Sequence, residues 1–248
     1  MPEPELRTRQ TVILAAGLGS RLQADGVPVP KPLAIVGGAP LLEHALRHAE
    51  AAGVEEAVIV LGSEAERIAA FLHGRPGGLR IRTVFNPHFM QPNGVSLLAA
   101  ERLVGGRFFL QMADHLFMSP VLTVLDQPLA DGDSLPRLLV DHTAEGIDLD
   151  DATKVRIESG RISAIGKSLS HWDAVDTGCF RLDGRVFEAL RRAGREGPPS
   201  VSAGMTWLSE RGMLVPVPLT GVAWADVDTP LDRDRAERLQ CAGLSDPR

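Results

Sequence analysis

Residues 11–22 read Thr-Val-Ile-Leu-Ala-Ala-Gly-Leu-Gly-Ser-Arg-Leu. Thr11–Ala15 is a short apolar run that predicts a buried strand. The small residues after it, Ala16, Gly17 and Gly19, let the backbone approach a ligand closely and turn successive amides toward an anion. Three phosphate loops compete for this pattern. A Walker loop needs Gly-Lys-Ser/Thr, which is absent. The dinucleotide fingerprint needs a third Gly or Ala that opens a helix, and Leu22 stands there instead. Pro28, Pro30 and Pro32 then forbid a crossover helix, which disfavours a dehydrogenase. What is left is a glycine loop followed by Arg21 and, ten residues on, Lys31 held between two prolines. The two cations would bracket a polyphosphate.

Outward from this loop the first half alternates strand and helix. Leu41–Ala52 places Leu41, Leu42, Ala45, Leu46 and Ala49 on one helical face, and Gly53 stops it. Ala57–Leu61 predicts a second buried strand, and Ser63 with Glu66 a capping box for a helix that Gly74 closes. Ile81–Phe85 is a third strand, 94–103 a helix, and Arg107–Met112 a fourth strand. Strands separated by helices mean right-handed βαβ units. Asp151–Arg181 reads differently, as short strands with turns at Glu158–Arg161 and Gly166–Ser168. Helices return at Asp183–Ala193 and Val201–Arg211, Leu214–Pro218 is a late strand, Gly194–Ser200 a surface loop, and Thr229-Pro230 opens a last helix. The expected fold is α/β: a Rossmann-like mixed, mostly parallel sheet flanked by helices, with a small antiparallel excursion in the second half. No linker separates independent domains, so 1–248 is expected to be a single domain.

Composition narrows the function. The chain has 248 residues, 44 % hydrophobic and 23 % charged, with a formal net charge of −6. That balance argues against a nucleic-acid partner and a polybasic membrane surface. No apolar stretch approaches the roughly 20 residues of a membrane span. The N-terminus carries glutamates and no apolar core, unlike a signal peptide. Two cysteines far apart, Cys179 and Cys241, give neither a disulfide framework nor a cysteine zinc site, and the expected setting is the reducing cytoplasm. Of 26 basic residues only Lys31, Lys154 and Lys167 are lysine. An arginine bias that erases lysine elsewhere marks these three as positions where a compact point charge is wanted.

Two acidic positions complete the pattern. Phe109–Met112 leads into Ala113-Asp114-His115, an acid just beyond a strand end, where α/β sheets bind ligands. Asp114 is therefore a natural Mg²⁺ ligand, because Mg²⁺ takes one or two carboxylates together with phosphate oxygens. Asp226 and Asp228 lie just before the last helix and form a second acidic pair. For Asp228 the competing role is a cap for that helix.

The ordered set LAAGLGSRL, PKPL (30–33), NGVSLL (93–98), Asp114-His115, ATKV (152–155), IGK (165–167), VDTG (175–178) and DVDT (226–229) resembles CTP:inositol-1-phosphate cytidylyltransferases of the nucleotidyltransferase superfamily, over residues 10–240. The resemblance implies a Mg²⁺-dependent transfer from CTP to inositol 1-phosphate. It implies a nucleotide-binding half at about 10–114 and an acceptor-binding half at about 115–240. Arg21 would grip the β- and γ-phosphates, Lys31 the α-phosphate side, and Lys167 the incoming phosphate, with Lys154 second. Leu14, Ala15, Ala16, Gly17, Gly19 and Ser20, together with Gln91, Asn93, Gly94 and Ser96, would border the nucleotide. Asp176, Thr177 and Gly178 would hold the polyol, and Asp114, Asp226 and Asp228 the metal. Family members are often fused to a membrane phosphatidyltransferase-like domain. Here the resemblance implies the activating half alone, with a separate membrane phosphatidyltransferase downstream; a homodimer is compatible with it.

Two other readings stand beside this one. One is the same fold acting on phosphocholine, an aminoalkylphosphonate or a hexose 1-phosphate, with CTP, UTP or dTTP. The other is a catalytically silent nucleotide-binding regulator, against which the joint presence of Arg21, Lys31, Asp114 and Asp226 speaks. His44 and His48 lie four apart on one helix and are expected on a solvated face rather than in a metal pair. Cys179, beside Phe180, is expected to be packed, and Trp172 and Trp207 to be core or rim.

Overall fold

A computed structural model describes residues 7–22, 29–128, 134–195 and 197–244. Residues 26–28 of the proline segment lie outside the described residues, as does residue 196 of the expected 194–200 loop. The first half runs β1 (Gln10–Ala15), a two-strand hairpin β2 (Ile35–Val36) and β3 (Ala39–Pro40), α1 (Leu41–Ala51), β4 (Glu56–Leu61), α2 (Ala65–His73), β5 (Arg80–Phe85), α3 (Asn93–Ala99) and β6 (Phe108–Met112). The second half runs β7 (His115–Phe117), α4 (Leu122–Leu125), β8 (Arg137–Asp141), β9 (Lys154–Glu158), β10 (Arg161–Gly166), β11 (Ala174–Leu182), α5 (Arg185–Ala193), α6 (Val201–Ser209), β12 (Val215–Pro218), β13 (Trp224–Asp226) and α7 (Pro230–Leu244).

Among the described residues nine strands form one sheet, in the order β10-β9-β11-β6-β1-β4-β5, with β8 paired to β11 and β12 to β8. β1 pairs in parallel with β4 and β6, and β4 with β5. Within this sheet the antiparallel pairs all involve β10 or β11. The mixed, mostly parallel sheet is as expected, with one refinement: β11 is no excursion but lies directly beside β6.

The strands are apolar because helices cover both faces. Ile13, Ile59 and Phe109 point into one core with Leu42 and Leu46 of α1. Their neighbours Val12, Val58 and Leu110 point into the other with Leu190 of α5 and Met205 of α6. Truncating a fully buried residue here, such as Ile59, to alanine costs about 2–5 kcal/mol. The strand ends are therefore a rigid platform for whatever stands on them.

Three local expectations are corrected. Ser63 and Glu66 form no capping box: α2 begins after Glu64, whose φ is 55°, and no side chain caps it. The 94–103 helix divides into α3 and a short 3₁₀ turn at Glu101–Leu103. His44 and His48 are buried rather than solvated: their Nε2 atoms donate to the Val36 and Phe117 carbonyls at 2.8 and 3.2 Å, which ties α1 to its neighbours.

The short pair β7–β13 matters most for the site. It is antiparallel and sets Asp226 opposite His115, while Val227 N donates to Asp114 O at 3.0 Å. Trp224 Nε1 donates to Asp141 Oδ2 at 2.9 Å and anchors β13 to the end of β8. Two segments remote in sequence thus meet at the carboxyl end of β6.

Candidate active site

The glycine loop is built around Lys31. Gly19 has φ +61°, and a Cβ placed there would run into Lys31 Cβ, so the loop backbone lies directly on the lysine stem. Only the ammonium emerges: the Lys31 side chain is 8 % exposed, and its Nζ donates to Asp114 Oδ2 at 2.6 Å and to Asp228 Oδ1. Arg21, 61 % exposed, donates to Asp228 Oδ2 at 2.6 Å and to Asp151 Oδ2 at 3.3 Å.

Asp228 is free for this work because Thr229 and Asp232 cap α7 between them. Asp232 Oδ2 accepts from Thr229 N at 2.8 Å and from Asp228 N at 3.2 Å, and Thr229 Oγ1 accepts from Asp232 N at 3.2 Å. The competing cap role thus belongs to the residues after Asp228.

His115 stands between the carboxylates. Its Nδ1 donates to the Thr177 carbonyl at 2.7 Å, and its Nε2 is 3.6 Å from Asp226 and 3.8 Å from Asp114. A Cβ on Gly178, whose φ is +71°, would collide with this ring. Burial works against the imidazolium, but Asp226 and Asp114 outweigh it and raise His115 to about 10. Burial likewise opposes the Asp114 carboxylate, yet Lys31 and His115 bring it down to about 2. Burial and the neighbouring Asp226 raise Asp228, against the pull of Lys31. Lys31 itself is raised well above the ordinary lysine range, since Asp114, Asp226 and Asp228 overcome its burial. Arg21, Lys31 and His115 therefore face Asp114, Asp226 and Asp228, three cations against three carboxylates, and the site is balanced before any substrate arrives.

Two cavities meet here. One, of about 270 Å³, lies over the loop and is lined by Leu14, Ala15, Gly17, Gly19, Ser20 and Lys31. The other, of about 890 Å³, opens toward Asn93, His115, Lys167, Asp176, Gly178 and Asp226. Arg21, Asp114 and Asp228 line both.

Several expected residues do not line either cavity. Ala16 lies beneath the loop, where its carbonyl accepts from Ser63 N at 3.0 Å. Ser96 is buried and accepts from Asn86 Nδ2 at 2.9 Å. A Cβ on Gly94 would meet the Pro199 carbonyl, so that glycine serves the packing of α3. Gln91 is exposed. The Thr177 hydroxyl is buried and donates to Leu139 O at 2.8 Å, so only its carbonyl serves the site, through His115. Lys154 Nζ donates to the Lys167 carbonyl at 2.8 Å and supports that lysine from behind. Asn93 lines the larger cavity, but its Oδ1 accepts from Val201 N at 2.9 Å and is partly committed to starting α6. Cys179 is buried, as expected. Trp207 is a rim residue with the Arg211 guanidinium 3.8 Å above its ring. Asp151 is the site residue that sequence reasoning missed.

A divalent cation suits this donor set. Among the described residues, Asp114, His115 and Asp226 offer ligand atoms within 4.8 Å of one another. Asp226 Oδ1 is buried with no hydrogen-bond partner. His115 Nδ1 is occupied by the Thr177 carbonyl, and a hard divalent cation favours the carboxylate oxygens of Asp114 and Asp226.

A glycine loop at parallel strand ends, flanked by a buried lysine and convergent carboxylates, defines an α/β domain for phosphate chemistry on nucleotides. Residues 11–163 match the MobA-like NTP transferase domain, and the chain belongs to that family. It is 37 % identical over 244 residues to the bifunctional IPC transferase and DIPP synthase of Rubrobacter xylanophilus, covering 96 % of this chain and 54 % of that protein. To the protein of the same name from Aquifex aeolicus it is 34 % identical over 228 residues, covering 92 % and 50 %. The chain thus spans about half the length of the curated relatives it matches. In structure it is similar to the inositol-1-phosphate CTP transferase from T. maritima, with a TM-score of 0.84 at 24 % identity over 96 % of this chain and 97 % of that one. Among the described residues, no helix is long and apolar enough to cross a membrane.

Proposed function

We propose that this chain is a Mg²⁺-dependent cytidylyltransferase that converts CTP and inositol 1-phosphate to CDP-inositol and pyrophosphate. The observation that carries the reading is the junction of the two cavities at Arg21, Asp114 and Asp228, next to the buried Lys31. Two substrates can meet at such a junction. The names of the similar proteins, IPC transferase and inositol-1-phosphate CTP transferase, support this choice of substrates. Residues 10–114 would form the nucleotide half of a single domain and 115–240 the acceptor half. The enzyme would work in the cytoplasm and hand its product to a membrane phosphatidyltransferase.

A phosphate oxygen of the acceptor attacks the α-phosphorus of CTP. The new P–O bond forms as the α–β bridging bond breaks, and pyrophosphate departs with that electron pair. A phosphomonoester loses its second proton near about pH 6, so the nucleophile is already ionised and no general base is needed. The obstacle is the meeting of two anions, and the remedy is positioned positive charge. Lys31 exchanges its carboxylate partners for the α-phosphate side, Arg21 takes the β- and γ-phosphates, and Lys167 holds the acceptor phosphate. Asp176 receives polyol hydroxyls, and the backbone from Leu14 to Ser20 borders the nucleotide. Asp114 and Asp226, with Asp228 beside them, would hold Mg²⁺, whose chemistry there is to neutralise and orient phosphate oxygens. Because the protein's own cations are already matched by carboxylates, a polyphosphate needs that extra positive charge.

The test is pyrophosphate release from CTP, UTP and dTTP against inositol 1-phosphate, phosphocholine, an aminoalkylphosphonate and glucose 1-phosphate, with and without Mg²⁺. The expected result is Mg²⁺-dependent turnover greatest for CTP with inositol 1-phosphate. Preference for another pair would reject the substrates, and binding without turnover would favour a silent regulator.

A further inference from the structure

Asp151 lies in the loop between β8 and β9 and is 45 % exposed. Its Oδ2 accepts from Arg21 Nη1 at 3.3 Å, and its Oδ1 accepts from Lys167 Nζ. Arg21 belongs to the glycine loop and Lys167 to the turn after β10, so one carboxylate joins a cation of each half-site across the mouth of the larger cavity. The loop that delivers it is held from the other side. Ala152 N donates to Asp148 O at 2.9 Å, and Arg235 Nη2 of α7 donates to the Glu145 carbonyl at 2.6 Å. Lys167 and Arg21 both favour the Asp151 carboxylate and hold it below the usual range, so it stays charged throughout the neutral region.

We propose that Asp151 is a displaceable internal anion that occupies the phosphate-binding cations Arg21 and Lys167 and so sets the charge a ligand must carry to enter. This rests on the reading that these two cations serve phosphates. A carboxylate carries one negative charge, whereas a phosphomonoester carries about 1.5 to 2 at neutral pH. Coulomb attraction grows with ligand charge, so a dianion displaces Asp151 while a monoanion does not. Selectivity then comes from an element that opposes the wrong ligand, not only from contacts with the right one.

The experiment is isothermal titration of inorganic pyrophosphate and of dimethyl phosphate, a monoanion, into the full chain and its Asp151→Asn and Asp151→Glu variants. Exposed ion pairs of this kind are weak, so Asp151→Asn should bind pyrophosphate about two- to tenfold more tightly. Dimethyl phosphate should gain binding it lacks in the unmodified protein, and Asp151→Glu should restore the original behaviour. The KM for inositol 1-phosphate should fall in Asp151→Asn without a rise in kcat. Unchanged or weaker pyrophosphate binding by Asp151→Asn would overturn the proposal, because a carboxylate that merely orders the two cations would lose affinity when neutralised. Pyrophosphate binding is read without the acceptor, so a failure of inositol 1-phosphate as substrate is told apart from a failure of this role for Asp151.

Discussion

The two sides of the site are built on different principles. On the proposed nucleotide side, Lys31 is almost fully buried, clamped beneath Gly19 and aimed at carboxylates fixed by β6 and the β7–β13 pair. On the proposed acceptor side, Lys167 is 59 % exposed, stands in a turn, and is paired with a loop carboxylate. The first arrangement suits a step in which displacement by an ångström costs rate; the second suits recognition, which tolerates exchange of partners. The contrast teaches where substitutions should act: on the buried side they should damage turnover, and on the exposed side they should shift affinity.

The largest effects are expected at the carboxylates. Asp114→Asn and Asp226→Asn should each lower turnover by about a hundredfold or more at saturating substrate, and weaken Mg²⁺ dependence, with circular dichroism unchanged. Full activity of either variant at saturating Mg²⁺ would remove that residue from the metal site. Next comes Lys31→Arg, which keeps the charge yet should lose about 10- to 100-fold in kcat/KM, since a planar fork cannot replace the single ammonium that emerges from beneath Gly19 onto Asp114 and Asp228. If its kcat/KM is unchanged, the buried side is less exacting than its geometry indicates.

Smaller effects are expected across the larger cavity. Lys154→Ala acts only through the Lys167 carbonyl and should raise the acceptor KM about two- to fivefold. Asp176 sharpens the comparison through stability. Burial raises its carboxyl from 3.8 to about 6, so the folded state favours the protonated form and loses stability as pH rises through that window. Asp176→Asn should therefore melt higher than the parent at pH 8, by about 5–10 °C, and at the same temperature at pH 3. Equal melting at both pH values would show that Asp176 is better solvated than its surroundings indicate.

What was legible in the sequence follows from how local each feature is. The β1–glycine loop–Arg21 unit and Lys31 could be read directly, because a buried strand, a small-residue turn and a proline bracket are each encoded within a few residues. The parallel first half was legible for the same reason. The β7–β13 pair was not: three-residue strands carry no periodicity, and their pairing depends on segments from opposite ends of the second half. Asp151 escaped because its partners come from two other loops, and nothing in its own neighbourhood distinguishes it from Asp148 or Asp150. Ser96 and Thr177 stood in motifs that carried the resemblance, yet their hydroxyls turn inward to Asn86 and Leu139, which only the packing reveals.

The central claim is that buried Lys31 serves the nucleotide and exposed Lys167 the acceptor phosphate. The direct test is steady-state kinetics of Lys31→Ala and Lys167→Ala, varying CTP and inositol 1-phosphate separately. Lys31→Ala should weaken CTP binding or lower kcat and leave the acceptor KM nearly unchanged. Lys167→Ala should raise the acceptor KM by about tenfold, the worth of one charge-assisted contact, while CTP still binds. An Lys167→Ala enzyme with an unaltered acceptor KM and impaired CTP binding would contradict the division of the site into these two halves.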